Sequence, residues 1–228
     1  MSVRIRVYSF MKTETKKYIT SAAILLSVLV IDQIIKVLVK TNMVLGEHID
    51  ITSWFKIAFV ENNGFAFGWQ LGGKIFLTLF RIVAVSLIGW FMAKQIKRKC
   101  SWGFIICLAL IMAGAAGNIF DCLFYGEIFS SSTHFEVAKY VGWGFGYGDF
   151  LQGKVVDMFY FPLIEWNMPS WQWLNTVPLL PDAGEHCVFF SPVFNFADAC
   201  ISVGVVALLI FYAEEFSEAM RQLKRKGA

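Results

Sequence analysis

Four long apolar segments constrain the fold of this chain more than any other feature of its sequence. They cover residues 18–39, 75–93, 102–120 and 192–213. A transmembrane helix needs about 20 consecutive, mostly apolar residues to cross the hydrocarbon core of a bilayer. We therefore predict an all-α integral membrane protein in which residues 1–228 form a single membrane domain with four transmembrane helices. The low share of charged residues, 16% against about a quarter in soluble domains, agrees with this prediction.

The positive charges are clustered around these segments. Most of the 20 Lys and Arg residues lie at the segment ends: Arg4, Arg6, Lys12, Lys16 and Lys17 before the first, Lys94, Lys97, Arg98 and Lys99 between the second and third, and Arg221, Lys224, Arg225 and Lys226 after the fourth. Basic residues near the ends of spans are retained on the cytoplasmic side. We predict that both termini are cytoplasmic and that the loops 41–74 and 123–191 lie outside. Because each cluster flanks an apolar span, we expect no nucleic-acid partner.

The two outer loops differ in pattern. In the first loop, Phe55, Ile57 and Phe59 alternate with other residues, and the turn signal Asn62-Asn63-Gly64 follows. Alternation bounded by such a turn predicts a small extracytoplasmic β-sheet. The second loop contains the glycine–aromatic alternation 142–148 and several later prolines, so we predict a long insertion without one regular helix. This insertion is either a flexible interfacial loop or a lid beside a site.

Several polar side chains lie where a membrane span should be apolar. Asp32 and Lys36 share one face of the first span, Asp121 follows Asn118 by three residues at the end of the third, and Asp198 follows Asn195 near the start of the fourth. Ionisable groups within spans are costly and indicate functional sites. The predicted topology places all three carboxylates near the outer face of the bilayer. For Asp32 and Lys36, a local ion pair with the lysine reaching toward the interface is an equally good interpretation.

Asp157 adds a further carboxylate from the second outer loop. Two carboxylates in a site of low dielectric cannot both ionise easily, so one holds a proton while the other acts as a base. This arrangement permits an aspartic dyad that activates water. It equally permits a proton-coupled transporter in which aspartates relay protons. The residues by themselves leave both functions open.

Five sequence blocks contain most of these polar residues. In chain order they are Asp32-Gln33 with Lys36, Glu61-Asn62-Asn63-Gly64-Phe65-Ala66-Phe67, Gly114-Ala115-Ala116-Gly117-Asn118-Ile119-Phe120-Asp121, Val155-Val156-Asp157-Met158 and Phe194-Asn195-Phe196-Ala197-Asp198-Ala199-Cys200-Ile201. Together these blocks resemble those of the bacterial lipoprotein signal peptidases, also called signal peptidase II. Each block falls at the predicted outer end of a span or in an outer loop. Their common order makes the resemblance specific, although most of 144–181 is unmatched.

The resemblance implies an aspartic endopeptidase of the bacterial inner membrane whose active site lies near the outer face. Its substrates would be diacylglyceryl-modified prolipoproteins, cleaved just before the lipidated cysteine, and membrane phospholipid would be a further partner. It assigns the catalytic dyad to Asp157 and Asp198. The substrate-binding or dyad-supporting positions are Asp32, Lys36, Asn62, Gly64, Asn118, Asp121 and Asn195. No metal or organic cofactor is implied.

Cysteine usage marks one departure from the family and one competing function. The family usually has an arginine after the aspartate of the third block, where this chain has Cys122. Cys122 and Cys187 both lie on the predicted outer side, where a disulfide between them is an alternative to free thiols. A quinone-linked disulfide catalyst is a third candidate function, but its outer thiols would be close in sequence. A zinc site is not expected, since the three histidines lack ligand spacing.

Overall fold

The computed structural model describes residues 2–63, 73–171 and 181–227. Its helices and strands, in chain order, are α1 (Ser2–Asn42), β1 (His48–Thr52), β2 (Phe55–Asn62), α2 (Gly73–Lys97), α3 (Trp102–Ile128), β3 (Val155–Tyr160), β4 (Ile164–Asn167), β5 (His186–Phe189), β6 (Val193–Phe194), α4 (Phe196–Phe211) and α5 (Ala213–Gly227). The strands follow α1, α3 and the connection into α4, so they gather at one end of the helical bundle, here called the sheet end.

Within the part of the chain that the structure describes, three helices are long and apolar enough to cross a bilayer. They are the segment Thr13–Asn42 of α1, with 30 residues, α2 with 25 and α3 with 27. The fourth predicted span differs from the structure at its start, because Val193–Phe194 form strand β6 and the helix begins only at Phe196. With 16 residues, α4 reaches spanning length only together with α5, and the two helices are bent by 90° at their junction.

The predicted small sheet is present as four antiparallel strands in the order β1-β2-β3-β6. The alternating segment forms β2, which makes a hairpin with β1 through a turn between Thr52 and Phe55. Asn62, from the predicted turn, is the last residue of β2, and Gly64 lies outside the described residues. Val60 of β2 pairs with Asp157 of β3, so the sheet fixes the position of this carboxylate.

The long insertion has more regular structure than its sequence suggests. Strands β4 and β5 form a separate antiparallel ribbon in which Ile164 pairs with Phe189 and Asn167 with His186. The glycine–aromatic segment contains no strand, and its aromatic residues differ in environment. Trp143 and Phe145 are exposed, whereas the Tyr147 hydroxyl oxygen accepts the backbone N–H of Lys154 at 2.6 Å. Tyr147 is therefore tied to the start of β3, and the choice between a flexible interfacial loop and a lid stays a prediction.

Helix α3 is the centre of the bundle and contacts the other spanning helices closely through small residues. A Cβ added at Gly114 would lie 2.2 Å from the carbonyl oxygen of Ala197, and one at Gly117 would lie 2.8 Å from Asp32 Oδ2. These two glycines therefore let α4 and the carboxylate of α1 approach the axis of α3. The outward surfaces are apolar, with Phe76 of α2 and Phe211 of α4 more than 70% exposed. Such surfaces are typical of helices that face lipid.

Candidate active site

Asp157 and Asp198 are brought together from two different elements. Asp157 lies in the middle of β3 and is 3% exposed. Asp198 is the third residue of α4, where it forms a capping box with Asn195. The Asp198 N–H donates to Asn195 Oδ1 at 2.9 Å, and the Asn195 N–H donates to Asp198 Oδ2 at 3.3 Å. The capping box fixes the Asp198 side chain at the helix N-terminus, where the helix dipole stabilises negative charge.

Three amide side chains hold the two carboxylates. Asn195 Nδ2 donates to Asp157 Oδ1 at 2.6 Å and to Asn118 Oδ1 at 3.0 Å. Asn118 Nδ2 donates to Asp198 Oδ1 at 2.7 Å, and Asn62 Nδ2 to Asp157 Oδ2 at 3.3 Å. We call these five residues the dyad network. Within the described parts of the chain, neither Asp157 nor Asp198 forms an ion pair with a cation.

This environment changes the acidity of Asp157. Burial raises the pKa of its carboxyl group to about 6, and the negative charge of Asp198 acts in the same direction. The hydrogen bonds from Asn195 and Asn62 oppose the increase without cancelling it. The pair can therefore hold one proton at a pH where an ordinary aspartate has lost it. An acid and a base side by side are the requirement for activating one water molecule.

A second group, here called the lysine cluster, lies beneath the dyad network and consists of Asp32, Lys36, Asp121 and Gln33. Lys36 Nζ lies 2.9 Å from Asp32 Oδ2 and 2.8 Å from Asp121 Oδ2, and all three side chains are fully buried. Its third hydrogen bond goes to Asn118 Oδ1 at 2.8 Å. An ammonium group has three donors, so this lysine is fully satisfied. The interpretation in which Lys36 extends to the interface is wrong, because its side chain lies inside the protein.

Each aspartate of the lysine cluster also fixes the residue just before one aspartate of the dyad network. Asp32 Oδ1 accepts the backbone N–H of Ala197 at 3.0 Å, and Asp121 Oδ2 accepts that of Val156 at 3.3 Å. The lysine cluster therefore joins α1 and α3 to the start of α4 and to β3. These contacts explain how residues from four elements can hold two carboxylates in register.

The sequence-based list of site residues missed a third buried group at the end of β2. Glu61 binds Lys40, Lys154 and Ser132, with 3.0 Å to Lys154 Nζ and 2.7 Å to Ser132 Oγ. Burial alone would raise the pKa of Glu61, but the adjacent Lys40 holds it below its usual value. This group fixes the strand end that carries Asn62. Two features of the sequence could have predicted this group. Lys40 follows Lys36 by one helical turn, and Glu61 begins the second block.

Gln33 was also missed, although it stands in the first block. Its Nε2 donates to Asp121 Oδ1 at 2.8 Å, and its Oε1 accepts the Tyr125 hydroxyl at 3.0 Å. All five cysteines are free thiols, so the alternative of a disulfide between Cys122 and Cys187 is wrong. Cys122 is buried against α2, where it accepts a hydrogen bond from Arg81. Of the sequence-predicted site residues, all but Gly64 lie in the dyad network or the lysine cluster.

Comparisons with known proteins identify the family of this chain. The model of the signal peptidase (SPase) II family matches residues 24–213. A lipoprotein signal peptidase of Porphyromonas gingivalis is 51% identical over 197 residues, which are 86% of this chain and 84% of that protein. One of Amoebophilus asiaticus is 34% identical over 207 residues, covering 86% of this chain and 78% of that protein. A solved bacterial membrane enzyme shares the fold, with a TM-score of 0.55 at 21% identity over 84% of this chain and 90% of that one. The chain therefore belongs to the signal peptidase II family of membrane proteins.

Proposed function

We propose that Asp157 and Asp198 are the catalytic dyad of an aspartic endopeptidase. Membership of the signal peptidase II family means that the protein removes signal peptides from prolipoproteins. It also decides against the transporter and the disulfide catalyst as alternatives. The observation that carries the assignment of the dyad is a pair of carboxylates, Asp157 buried and Asp198 half-buried, that are held by amides and have no cation partner among the described residues.

In this mechanism Asp157 holds the shared proton and Asp198 acts as the base. Asp198 removes a proton from one water molecule, whose oxygen attacks the carbonyl carbon of the scissile peptide bond. Asp157 gives its proton to the nitrogen of the leaving amine, and the C–N bond breaks without any covalent enzyme intermediate. The raised pKa of Asp157 supports its role as the acid. Asn195 and Asn118 keep both carboxylates oriented toward one water.

The substrate is proposed to be a diacylglyceryl-modified prolipoprotein that is cleaved just before its lipidated cysteine. The lipid anchor would hold that cysteine at the bilayer surface, so the active site should lie at the same depth. Helix α4 supports this depth, because its 16 residues are about 24 Å long, some 6 Å less than the roughly 30 Å hydrocarbon core. A dyad at its N-terminus would then lie just inside the outer boundary of that core.

The remaining topology follows from the charges. All four predicted spans would cross the inner membrane, with the sheet end and the ribbon outside and both termini in the cytoplasm. The basic clusters between α2 and α3 and in α5 support this orientation. The 90° bend would let α5 lie along the cytoplasmic surface. A reporter enzyme active only outside the cytoplasm should be silent when fused to the C-terminus, and strong activity there would contradict the orientation.

Turnover of a lipidated prolipoprotein by purified variants tests the dyad. Asparagine is nearly isosteric with aspartate but cannot exchange the proton, so Asp157→Asn and Asp198→Asn should each lower kcat by about 1000-fold or more. The double variant should be hardly slower than either single one, because residues that act as a unit are strongly non-additive. Asp50→Asn, an exposed position in β1, is the matched control and should keep the wild-type rate. Substantial turnover by either dyad variant rules this mechanism out.

A further inference from the structure

Arg81 is a charged residue in the apolar helix α2 whose protein partner is unusually weak. Its guanidinium donates from one terminal nitrogen to Cys122 Sγ on α3 at 3.3 Å. Across 2–63, 73–171 and 181–227 this is the one hydrogen bond that Arg81 makes, and it forms no ion pair there. A guanidinium has five N–H donors, and a thiol is a weak acceptor. Among the described residues, most of the hydrogen-bonding capacity of Arg81 is therefore unused.

The position of this guanidinium relates it to the dyad network. Cys122 follows Asn118 by four residues, so the two side chains lie on one face of α3 about 5–6 Å apart along the helix axis. Because α3 runs toward the sheet end, Arg81 lies on the sheet-end side of Asn118, which donates to Asp198. Arg81 is half-buried, whereas Cys122 is buried. The Arg81 guanidinium therefore lies beside α3, about one helical turn from Asn118 of the dyad network.

We propose that Arg81 is a substrate-positioning residue that binds backbone carbonyl oxygens of the prolipoprotein next to the scissile bond. This role rests on the proposed dyad, since it requires the substrate backbone to pass one turn from Asn118. The planar fork of donors suits two oxygens on an extended peptide, which a single ammonium group could not hold in the same way. A charge at this depth is costly without a partner, and the substrate would supply that partner.

A peptide carbonyl fits this depth better than a lipid phosphate. Phosphates lie at the headgroup level, and the basic residue of α2 nearest that level is Lys74, two helical turns before Arg81 toward the sheet end. Arg81 lies deeper, beside Cys122. The arginine that the family usually has at the position of Cys122 would place a guanidinium in the same space from α3. In this chain Arg81 of α2 supplies a guanidinium there, beside the small thiol of Cys122.

Relocating the guanidinium tests the proposal. We expect Arg81→Met to lower kcat/KM for a lipidated prolipoprotein about 10- to 100-fold, the loss typical of a hydrogen bond from a charged group. Arg81→Met/Cys122→Arg returns a guanidinium to the same space and should recover to within about fivefold of the wild type. Cys122→Arg alone places two guanidinium groups together and should be impaired, whereas Cys122→Ala should be close to the wild type. Lys94→Met, at the far end of α2, is the matched control.

Each outcome of these assays decides the proposal. A wild-type kcat/KM for Arg81→Met overturns it, and so does a relocation variant that is as slow as Arg81→Met. If Arg81→Met folds poorly, Arg81→Lys keeps the charge without the fork and should be about 10-fold slower; a wild-type rate again overturns the role.

The assays are run in phosphate-free detergent micelles and in phosphatidylglycerol vesicles. A defect confined to the vesicles would assign Arg81 to lipid phosphate instead. Failure of the dyad would appear separately, as turnover by Asp157→Asn.

Discussion

Two pairs of aspartates lie side by side in this protein, and among the described residues only one pair has a cation between its members. Asp32 and Asp121 are both bound by Lys36, within 2.9 Å. Asp157 and Asp198 are bound by amides of the dyad network. A cation between two carboxylates offsets one of their negative charges and fixes their geometry, whereas amides orient carboxylates without offsetting any charge. The comparison separates a pair suited to positioning from a pair suited to proton transfer.

The two pairs are also physically joined, which allows one to support the other. Asn118 Oδ1 accepts a hydrogen bond from Lys36, and Asn118 Nδ2 donates one to Asp198, so the lysine polarises the amide that binds Asp198. Each aspartate of the lysine cluster binds the backbone N–H just before one aspartate of the dyad. Loss of the lysine should therefore damage the fold first and activity as a consequence. Loss of an amide should damage activity with less effect on the fold.

The largest expected effect is that of Lys36→Met on stability. Removing this lysine leaves two carboxylates buried without a cation, and breaking a buried ion pair in this way costs about 3–5 kcal/mol. We expect the purified protein to lose more than about 10 °C in Tm, measured by intrinsic fluorescence in detergent. The neutral variant Asp32→Asn/Lys36→Met/Asp121→Asn should regain much of this loss. Wild-type stability of Lys36→Met would mean that the cluster does not hold the fold.

Asn118→Ala should have an intermediate effect, and on activity rather than stability. It removes the donor to Asp198 Oδ1 and the acceptor for Lys36, so Asp198, the proposed base, loses part of its orientation. We expect kcat for a lipidated prolipoprotein to fall about 10- to 100-fold, because a hydrogen bond to a charged group contributes about 1.5–3 kcal/mol. Asn42→Ala, an exposed amide at the end of α1, is the control. An unchanged kcat would reduce Asn118 to a helix-packing amide.

The smallest effect concerns the pH dependence of stability. Because the pKa of folded Asp157 is raised from 3.8 to about 6, the folded state holds this proton more tightly than the unfolded state. The stability contributed by the protonated carboxyl is therefore present below about pH 4 and is lost as the pH rises through about 6. Asp157→Asn cannot ionise, so it avoids this decrease in the free energy of unfolding. The decrease is at most about 3 kcal/mol when the pKa changes by about 2.

Thermal scans at two pH values check that sign. The Tm of Asp157→Asn relative to the wild type should be higher at pH 8 than at pH 4.5. Asp121→Asn should behave differently, because it removes an anionic partner of Lys36, and its Tm at pH 8 should fall below the wild type. If the Tm values of the two variants change with pH in the same way, the contrast between the pair with a cation and the pair without one is wrong.

The sequence by itself determined which segments are apolar, where the basic clusters lie and which polar residues are candidates for the site. These properties are local, since twenty apolar residues or an Asn three positions before an Asp can be recognised without knowing the neighbours. The five blocks added the assignment of the dyad by resemblance. Gly64 is the one predicted site residue that the described structure does not place.

Only the tertiary structure decided which partner each polar residue has. Lys36 binds Asp32, four positions earlier on the same helix, and also Asp121 on α3. The second contact distinguishes a buried cluster from a surface ion pair. The late start of α4, the ribbon of β4 and β5, and the contact between Arg81 and Cys122 also join residues distant in sequence. Periodicity reports which face of an element is apolar, but not which element covers that face. The difference between two carboxylates with a cation and two without one therefore arises only when the helices and the sheet pack together.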